Sequence, residues 1–387
     1  MEQREEPDLA EGSLAAATTT VTDGVSPAVV SAWAVGRPGD LAAEIATLYG
    51  EPGSRKKVLL FGNYGSGNLG DEGILAGVLA ALKPVANVTV VSRAPTALTR
   101  QHDVKSVKMM SARGALALLR CDHVAIGGGG MFGNGMNILT SMLPVIALAA
   151  QKLGKESIFL ATGAYSSSPS WVQRCLRKVA SRSLFVSVRD LESAAVLDHG
   201  PETVIVDDPA IGLTPAPAEA GRAALRAAGV RLNRPLLGLS IKPTHYRDRN
   251  EAQVAAAAAA CGWWRETTDG DCVLLVLSGR GDNGVAVSDQ SLLEEVAARN
   301  ATRSGIHQLG PDLAPDVMKA AIGQLNLVVG HRLHAQIYAW SMGVPVVGIS
   351  YERKSDVFLE GRRLRRIDLW ALDPELLIEV LSSMPLD

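Results

Sequence analysis

The chain is short of aromatic residues, of net charge of either sign, of paired cysteines and of long apolar runs, and each shortage removes a class of explanation. Aromatic side chains make up 4% of its 387 residues against a hydrophobic share of 47%, so Ala, Leu and Val must fill the interior. Lys and Arg number 38 against 40 Asp and Glu, a formal charge of −2. A broad nucleic-acid surface normally needs a clear basic excess, so no nucleic-acid partner is expected. Cys121, Cys175, Cys261 and Cys272 form no CxxC pair and have no His at matching spacing, which argues against a zinc knuckle or disulfide framework and for reduced, cytoplasmic thiols. The longest apolar run, Ile138 to Ala150, is interrupted by Thr140, Ser141 and Pro144. It falls short of the about 20 residues that span a bilayer and reads as a buried helix. The opening Met1-Glu2-Gln3-Arg4-Glu5-Glu6 is acidic where a secretory signal is basic and then apolar, so export by that route is not expected.

What is present points to two α/β domains, since a single core stops growing near ~250 residues. Residues 1–54 hold Ala, Thr, Glu, Gly and Pro with no sustained period and are expected to be a flexible extension, with Leu41 to Tyr49 as a possible short helix. From residue 55 to 213, short Val/Ile/Leu runs alternate with Ala/Leu-rich helical stretches, the pattern of a parallel sheet. Strands are expected at Lys57–Gly62, Asn87–Ser92, His123–Gly127, Ser157–Thr162, Leu184–Val188 and Thr203–Val206. Thr214-Pro215-Ala216-Pro217-Ala218 marks a linker over 214–234. The pattern then restarts over 235–387, with strands at Leu236–Ile241, Cys272–Ser278, Leu327–Gly330 and Val344–Ile349. Two Rossmann-like parallel-sheet halves would turn their strand-end loops toward one cleft, where ligands bind in such sheets.

Four segments at strand ends carry chemistry. Gly62-Asn63-Tyr64-Gly65-Ser66-Gly67-Asn68-Leu69-Gly70-Asp71-Glu72 opens a helix. Its glycines let backbone approach a ligand, and Gly65, Gly67, Asn68 and Asp71 are candidate contacts, with Asp71 as helix N-cap the alternative. It lacks the Gly-Lys-Ser/Thr of a P-loop and the spacing of a dinucleotide fingerprint. Gly127-Gly128-Gly129-Gly130-Met131-Phe132-Gly133-Asn134-Gly135 is either a cleft wall, through Gly128, Gly129 and Gly130, or a sharp turn. Ser187-Val188-Arg189-Asp190 offers Arg189 as a carboxylate or phosphate clamp or as the partner of Asp190 or Glu192. In Asp207-Asp208-Pro209-Ala210 either carboxylate can bind a hydroxyl or cap the next turn. Gly330-His331-Arg332-Leu333-His334-Ala335, followed by Tyr351-Glu352-Arg353-Lys354, puts imidazoles and a guanidinium at a helix start, an anion site. His331 and His334 have no evident third metal ligand, so no metal is expected.

Taken in order, the Gly-Asn-Tyr-Gly-Ser-Gly-Asn-Leu-Gly-Asp-Glu start, Gly-Gly-Gly-Gly-Met-Phe, Val-Arg-Asp, Asp-Pro-Ala and Arg-Leu-His resemble the polysaccharide pyruvyl transferases over Lys57 to Lys354. The resemblance implies a glycosyltransferase-B-like fold and transfer of the pyruvyl unit of phosphoenolpyruvate onto two sugar hydroxyls as a cyclic ketal. It assigns Arg189, His334 and Lys354 as the important polar residues; His331 departs from the small or apolar residue of the pattern. Phosphoenolpyruvate carries a carboxylate and a phosphate, which Arg189, Arg332 and Lys354 can neutralise without a metal or other cofactor. His334 is the expected proton carrier, and Asp208 joins the expected substrate contacts. The acceptor, a sugar or lipid-linked oligosaccharide, is expected on the 55–213 side and phosphoenolpyruvate on the 235–387 side, in a cytoplasmic enzyme with peripheral contact to the inner face of the membrane. A nucleotide-sugar glycosyltransferase of the same architecture and a non-catalytic glycan-binding protein are the competing readings.

Overall fold

The computed structural model of the chain describes residues 39–50, 55–133, 136–198, 200, 202–279 and 287–384. The rest of the expected extension, and Asn134 and Gly135 of the second glycine loop, lie outside the described residues. The N-terminal half carries β1 (Lys56–Phe61), β2 (Ala86–Val91), β3 (Lys105–Val107), β4 (His123–Ile126), β5 (Gly129–Phe132), β6 (Glu156–Ala164), β7 (Phe185–Val188) and β8 (Val204–Ile205). The C-terminal half carries β9 (Leu236–Ser240), β10 (Asp271–Leu275), β11 (Ile306–Leu309), β12 (Leu327–Gly330), β13 (Val346–Ser350) and β14 (Arg365–Asp368).

The first sheet runs β3-β2-β1-β4-β6-β7-β8 with β5 paired to β6, and the second runs β11-β10-β9-β12-β13-β14. Every pairing between these strands is parallel. The second order is that of a doubly wound sheet, and the first follows it at its centre. Strand order therefore reverses beside β1 and β4 in one half and beside β9 and β12 in the other. Ligands bind at such reversals, beyond the carboxyl ends of the strands.

Helices cover both faces of each sheet, so the central strands are buried runs instead of alternating ones. On β1, Val58 and Leu60 pack with Ile74, Leu75 and Val78 of the Leu69–Leu82 helix, while Leu59 and Phe61 face Leu143 and Phe159. The first of these cores does not stop at the boundary between halves. It continues into Met318, Ile337 and Tyr338 of the C-terminal half, so apolar packing as well as the chain joins the two.

Two expected boundaries move. The Leu41–Tyr49 helix is capped by Asp40 and buries Leu41 and Ile45. Gly39 bridges to Val206, and the Tyr49 hydroxyl lies 2.9 Å from His123 Nδ1. Residues 39–49 therefore belong to the N-terminal half, and an extension reaching 54 is too long. Within the expected linker, Ala218–Ala227 is a helix packed on the Pro315–Ile322 helix. Gly221 sits so close that an added Cβ would lie 2.5 Å from the Ala320 carbonyl carbon. This part of 214–234 is C-terminal core. Buried Lys319 fastens the crossing segment by donating from Nζ to the Ile211 and Leu213 carbonyls, each at 2.8 Å.

Candidate active site

Loops from both halves enclose a cavity of about 140 Å³ between the sheets. The first glycine loop divides its residues between building and lining. Gly65 adopts φ 73°, presses on Ser92 and gives its N–H to Glu72 Oε1 at 2.6 Å, so this amide is used inside the loop. Gly67, at φ 79°, has open space beside it and is not among the lining residues. Asn68 caps the Leu69–Leu82 helix by accepting from the Gly70 amide at 2.9 Å, which displaces the Asp71 N-cap alternative. Asp71 stands in the first turn, accepts from Asn63 Nδ2 at 2.7 Å, and lines the cavity with Asn63 and Asn68.

The second glycine segment is partly strand, since Gly129–Phe132 pairs with β6. Gly128 backs onto Ile74, where a Cβ would come within 2.9 Å, and Gly129 needs φ 104°. Neither reaches the cavity, whereas Gly130 does. A Cβ on Gly130 would lie 2.7 Å from Arg189 Nη2, and one on Gly163 would lie 2.9 Å from Arg189 Nε. The two glycines thus form the slot that Arg189 occupies. The guanidinium donates to the Tyr165 hydroxyl at 3.1 Å and to Asp208 Oδ2 at 3.3 Å, and it still borders the cavity. Asp190 caps the Leu191–Leu197 helix by accepting from Ser193 N at 2.8 Å. Asp208 supports the site from behind without lining it.

The C-terminal half supplies charge. Arg332 donates from Nε to both oxygens of buried Asp289, at 2.9 and 3.1 Å, which fixes the guanidinium at the cavity wall. Lys242, just past β9, pairs with Glu352, and Lys354 holds the other Glu352 oxygen at 2.6 Å. Burial, then repulsion from Lys354, lowers the Lys242 ammonium to about 8. Burial would raise Glu352, but Lys354 and Lys242 outweigh it and hold the carboxyl well below the usual range. Lys242 and Glu352 were not among the sequence candidates. The available signal was a Lys at a strand end and a Glu inside the Tyr351-Glu352-Arg353-Lys354 segment.

The two histidines differ in use. His331 Nδ1 lies 2.6 Å from Gln253 Oε1, and Gln253 in turn donates to the Lys242 carbonyl at 3.0 Å. Burial, with Lys242 next, drops the His331 imidazolium to about 3. His334 packs where a Cβ on Gly70 would be 2.1 Å from Nδ1, and its Nε2 lies 3.9 Å from Asp208 Oδ2. Burial lowers its imidazolium to about 4, with Arg189, Lys354 and Arg332 adding to the fall and Asp208 opposing it. Both rings border the cavity and are neutral at pH 7. Among the described residues no group of three or more His, Cys, Asp or Glu is placed to hold a metal ion.

Of the sequence candidates, the cavity thus gathers Asn68, Asp71, Gly130, Arg189, Arg332, His334 and Lys354. Gly65, Gly67, Gly128, Gly129 and Asp208 lie outside its lining for the reasons given.

The family model for polysaccharide pyruvyl transferase matches residues 68–353. No curated protein matches the chain in sequence. Among solved structures, UDP-GlcNAc 2-epimerase from Neisseria meningitidis bound to UDP-GlcNAc is 12% identical with a TM-score of 0.56, covering 84% of this chain and 90% of that one. The UDP-GlcNAc 2-epimerase from Methanocaldococcus jannaschii is also 12% identical, with a TM-score of 0.57 and coverage of 86% and 93%. The ADP-heptose lipopolysaccharide heptosyltransferase II of E. coli is 13% identical, with a TM-score of 0.53 and coverage of 84% and 98%. At such identities the likeness speaks to fold, which is glycosyltransferase-B-like: two parallel-sheet α/β halves about a cleft.

Proposed function

The chain belongs to the polysaccharide pyruvyl transferase family, and from this we propose that it moves the pyruvyl unit of phosphoenolpyruvate onto two hydroxyls of one sugar, releasing phosphate. The observation that carries the reading is the convergence of Arg189, Lys242, Arg332 and Lys354 on one small cavity. A carboxylate and a phosphate on a small molecule call for such a set of fixed cations. The cavity is also smaller than the roughly 300–1,000 Å³ of pockets that enclose drug-sized ligands, which favours a small anion over a nucleotide sugar.

In this reading the donor anions lie against the C-terminal half, with Arg189 reaching across from the other. The enol carbon of phosphoenolpyruvate takes a proton from the Lys242 ammonium, which burial and Lys354 lower to about 8. One sugar hydroxyl bonds to the adjacent cationic carbon and gives its proton to neutral His334. The bond from that carbon to the phosphate oxygen then breaks, and Arg332 and Lys354 stabilise the departing phosphate. The second hydroxyl closes the ketal. Of the two hydroxyl protons, one replaces that spent on the new methyl group and the other leaves on phosphate. Asp71, Asn63 and Asn68, on the acceptor side, orient the two hydroxyls.

The donor is tested by thermal unfolding. Phosphoenolpyruvate at about 100 times its Kd should stabilise the protein by ~2.7 kcal/mol, seen as a rise in Tm, and phosphate release should require a sugar diol. A Tm raised by UDP- or ADP-sugars and not by phosphoenolpyruvate would transfer the site to nucleotide-sugar chemistry. Donor binding without phosphate release, whatever acceptor is offered, would favour a glycan-binding protein.

A further inference from the structure

The outer surface of the N-terminal half combines two features that the proposed chemistry leaves unused. The first is charge. A groove along β2, β3 and the Ala112–Arg120 helix is walled by Arg55, Lys57, Lys83, Lys105, Arg113 and Arg120, with Asp103 as the one acidic lining residue among the described residues. A second depression, beside the first glycine loop, adds Arg93 and Lys108 and has no acidic lining residue among the described residues. Such a concentration stands out in a chain whose formal charge is −2. Lys83 is held over the surface by donating to the His102 and Asp103 carbonyls, each at 3.2 Å, and Arg55 by donating to the Pro84 carbonyl at 3.0 Å. Carbonyl partners leave both charges unneutralised.

The second feature is exposed apolar area in the same region. The Ala112–Arg120 helix buries only Gly114 and leaves Leu116 and Leu119 exposed, the latter at 59%. Met110, just before it, is 81% exposed, and Ile138, at the start of the neighbouring Ile138–Lys152 helix, is 77% exposed, with Leu139 and Met142 beside it. Met110 and Leu139 line the same depression as Arg93 and Lys108. Solvated surfaces tolerate scattered apolar residues, but a contiguous group rimmed by cations marks an interaction site.

We propose that this face of the N-terminal half docks on an anionic lipid bilayer. A nucleic acid would use the cations and gain nothing from Leu116, Leu119, Met110 and Ile138, whereas a bilayer interface accepts both, taking apolar side chains among the acyl chains and pairing cations with headgroups. No helix among the described residues is long and apolar enough to cross a membrane, so the contact is peripheral. The face also adjoins the active-site cavity, because Asn63, Asn137 and Thr140 line both that cavity and the depression containing Met110. Docked this way, the protein opens its acceptor side toward the membrane surface. The docking itself does not depend on which donor the cavity binds.

The test is sedimentation of the full chain with vesicles of phosphatidylcholine, with and without phosphatidylglycerol. Binding should require phosphatidylglycerol and weaken with added salt. The double variant Arg113→Ala/Arg120→Ala should lower partitioning on the order of 25-fold, about fivefold per cation. Leu116→Ser/Leu119→Ser should weaken it further at high salt, where apolar contact dominates. Arg299→Ala, which removes an exposed cation paired with Glu251 on the other half, should bind as the unaltered chain does. Unchanged Tm in each variant establishes that the fold persists, with Met110→Ser replacing the Leu pair if that pair lowers Tm. Equal binding to both vesicle types, no binding to either, or unaltered binding by the Arg or the apolar variants would each overturn the proposal.

Discussion

The two halves share the strand order at the centre of their sheets and meet at one cavity, yet they furnish it with different materials. The N-terminal half offers amides, short polar side chains and close backbone, namely Asn63, Asn68, Asp71 and Gly130, with Arg189 as its one cation at the wall among the described residues. The C-terminal half offers Lys242, Arg332, Lys354, Glu352 and both histidines. One topology thus supports polar, hydroxyl-sized contacts on one side and a set of cations suited to an anion on the other. Fold places the loops, and the residues at the strand ends decide what each side can hold.

The largest effect expected from breaking this division is on turnover. His334→Ala should reduce kcat ~10²–10⁴-fold, the usual worth of a positioned acid or base, with donor affinity changing much less. His331→Ala should act mainly on stability, because that ring is bonded to Gln253. Steady-state kinetics showing the reverse pattern would exchange the roles of the two rings.

Next comes the scaffold itself. Ile45→Ala should cost about 2–5 kcal/mol, read as a fall in Tm, because Ile45 is fully buried against the N-terminal core. Removing residues 1–50 should do at least as much harm. A truncated protein of unchanged Tm would return 39–49 to the status of a dispensable extension.

Cation loss should be smaller. Arg189→Ala and Lys354→Ala are each expected to weaken phosphoenolpyruvate binding by ~1.5–3 kcal/mol in calorimetry, the scale of a charge-assisted hydrogen bond. An effect confined to the C-terminal residue would mean that Arg189 belongs to the scaffold alone.

The smallest effect is that of pH. Lys242 is lowered from 10.5 to about 8, so its charge is present below that pH and lost as pH rises through it. Donor affinity should hold to about pH 8 and then fall, by at most about tenfold per unit. Lys242→Arg, which cannot deprotonate in this range, should remove the fall while depressing turnover. A flat affinity profile for the unaltered chain would remove Lys242 from the donor contacts.

Much of this site was legible because its residues sit at strand ends, where hydrophobic runs give way to Gly, Arg or His. Arg189, Arg332 and His334 carry that signal in the sequence. Lys242 carried it too, but its meaning depends on Glu352, more than a hundred residues away, and such a pairing becomes visible only when β9 and β13 flank β12. Asp71, a candidate contact with helix N-cap as its alternative role, leaves the cap to Asn68, three residues earlier, which reaches the Gly70 amide. Strands were missed where they lack apolar runs. β5 reads as a glycine loop, β14 begins Arg365-Arg366, and β3 is Lys105-Ser106-Val107. Each gains its ladder from neighbours already in place, which local sequence does not report.

The glycines of the Leu69–Leu82 helix have a mechanical consequence. Gly70 faces His334, and Gly73 faces Tyr338, whose hydroxyl donates to the Leu69 carbonyl at 3.1 Å. Added Cβ atoms there would lie 2.1 and 2.0 Å from the opposing side chains, so the two helices meet here with no room for a side chain on the Leu69–Leu82 helix. With so little clearance, a methyl group at either glycine would force the Leu69–Leu82 helix away from the Leu333–Ser341 helix. The position of the His334 imidazole at the cavity wall therefore depends on bare backbone at Gly70, one helix away in the other half.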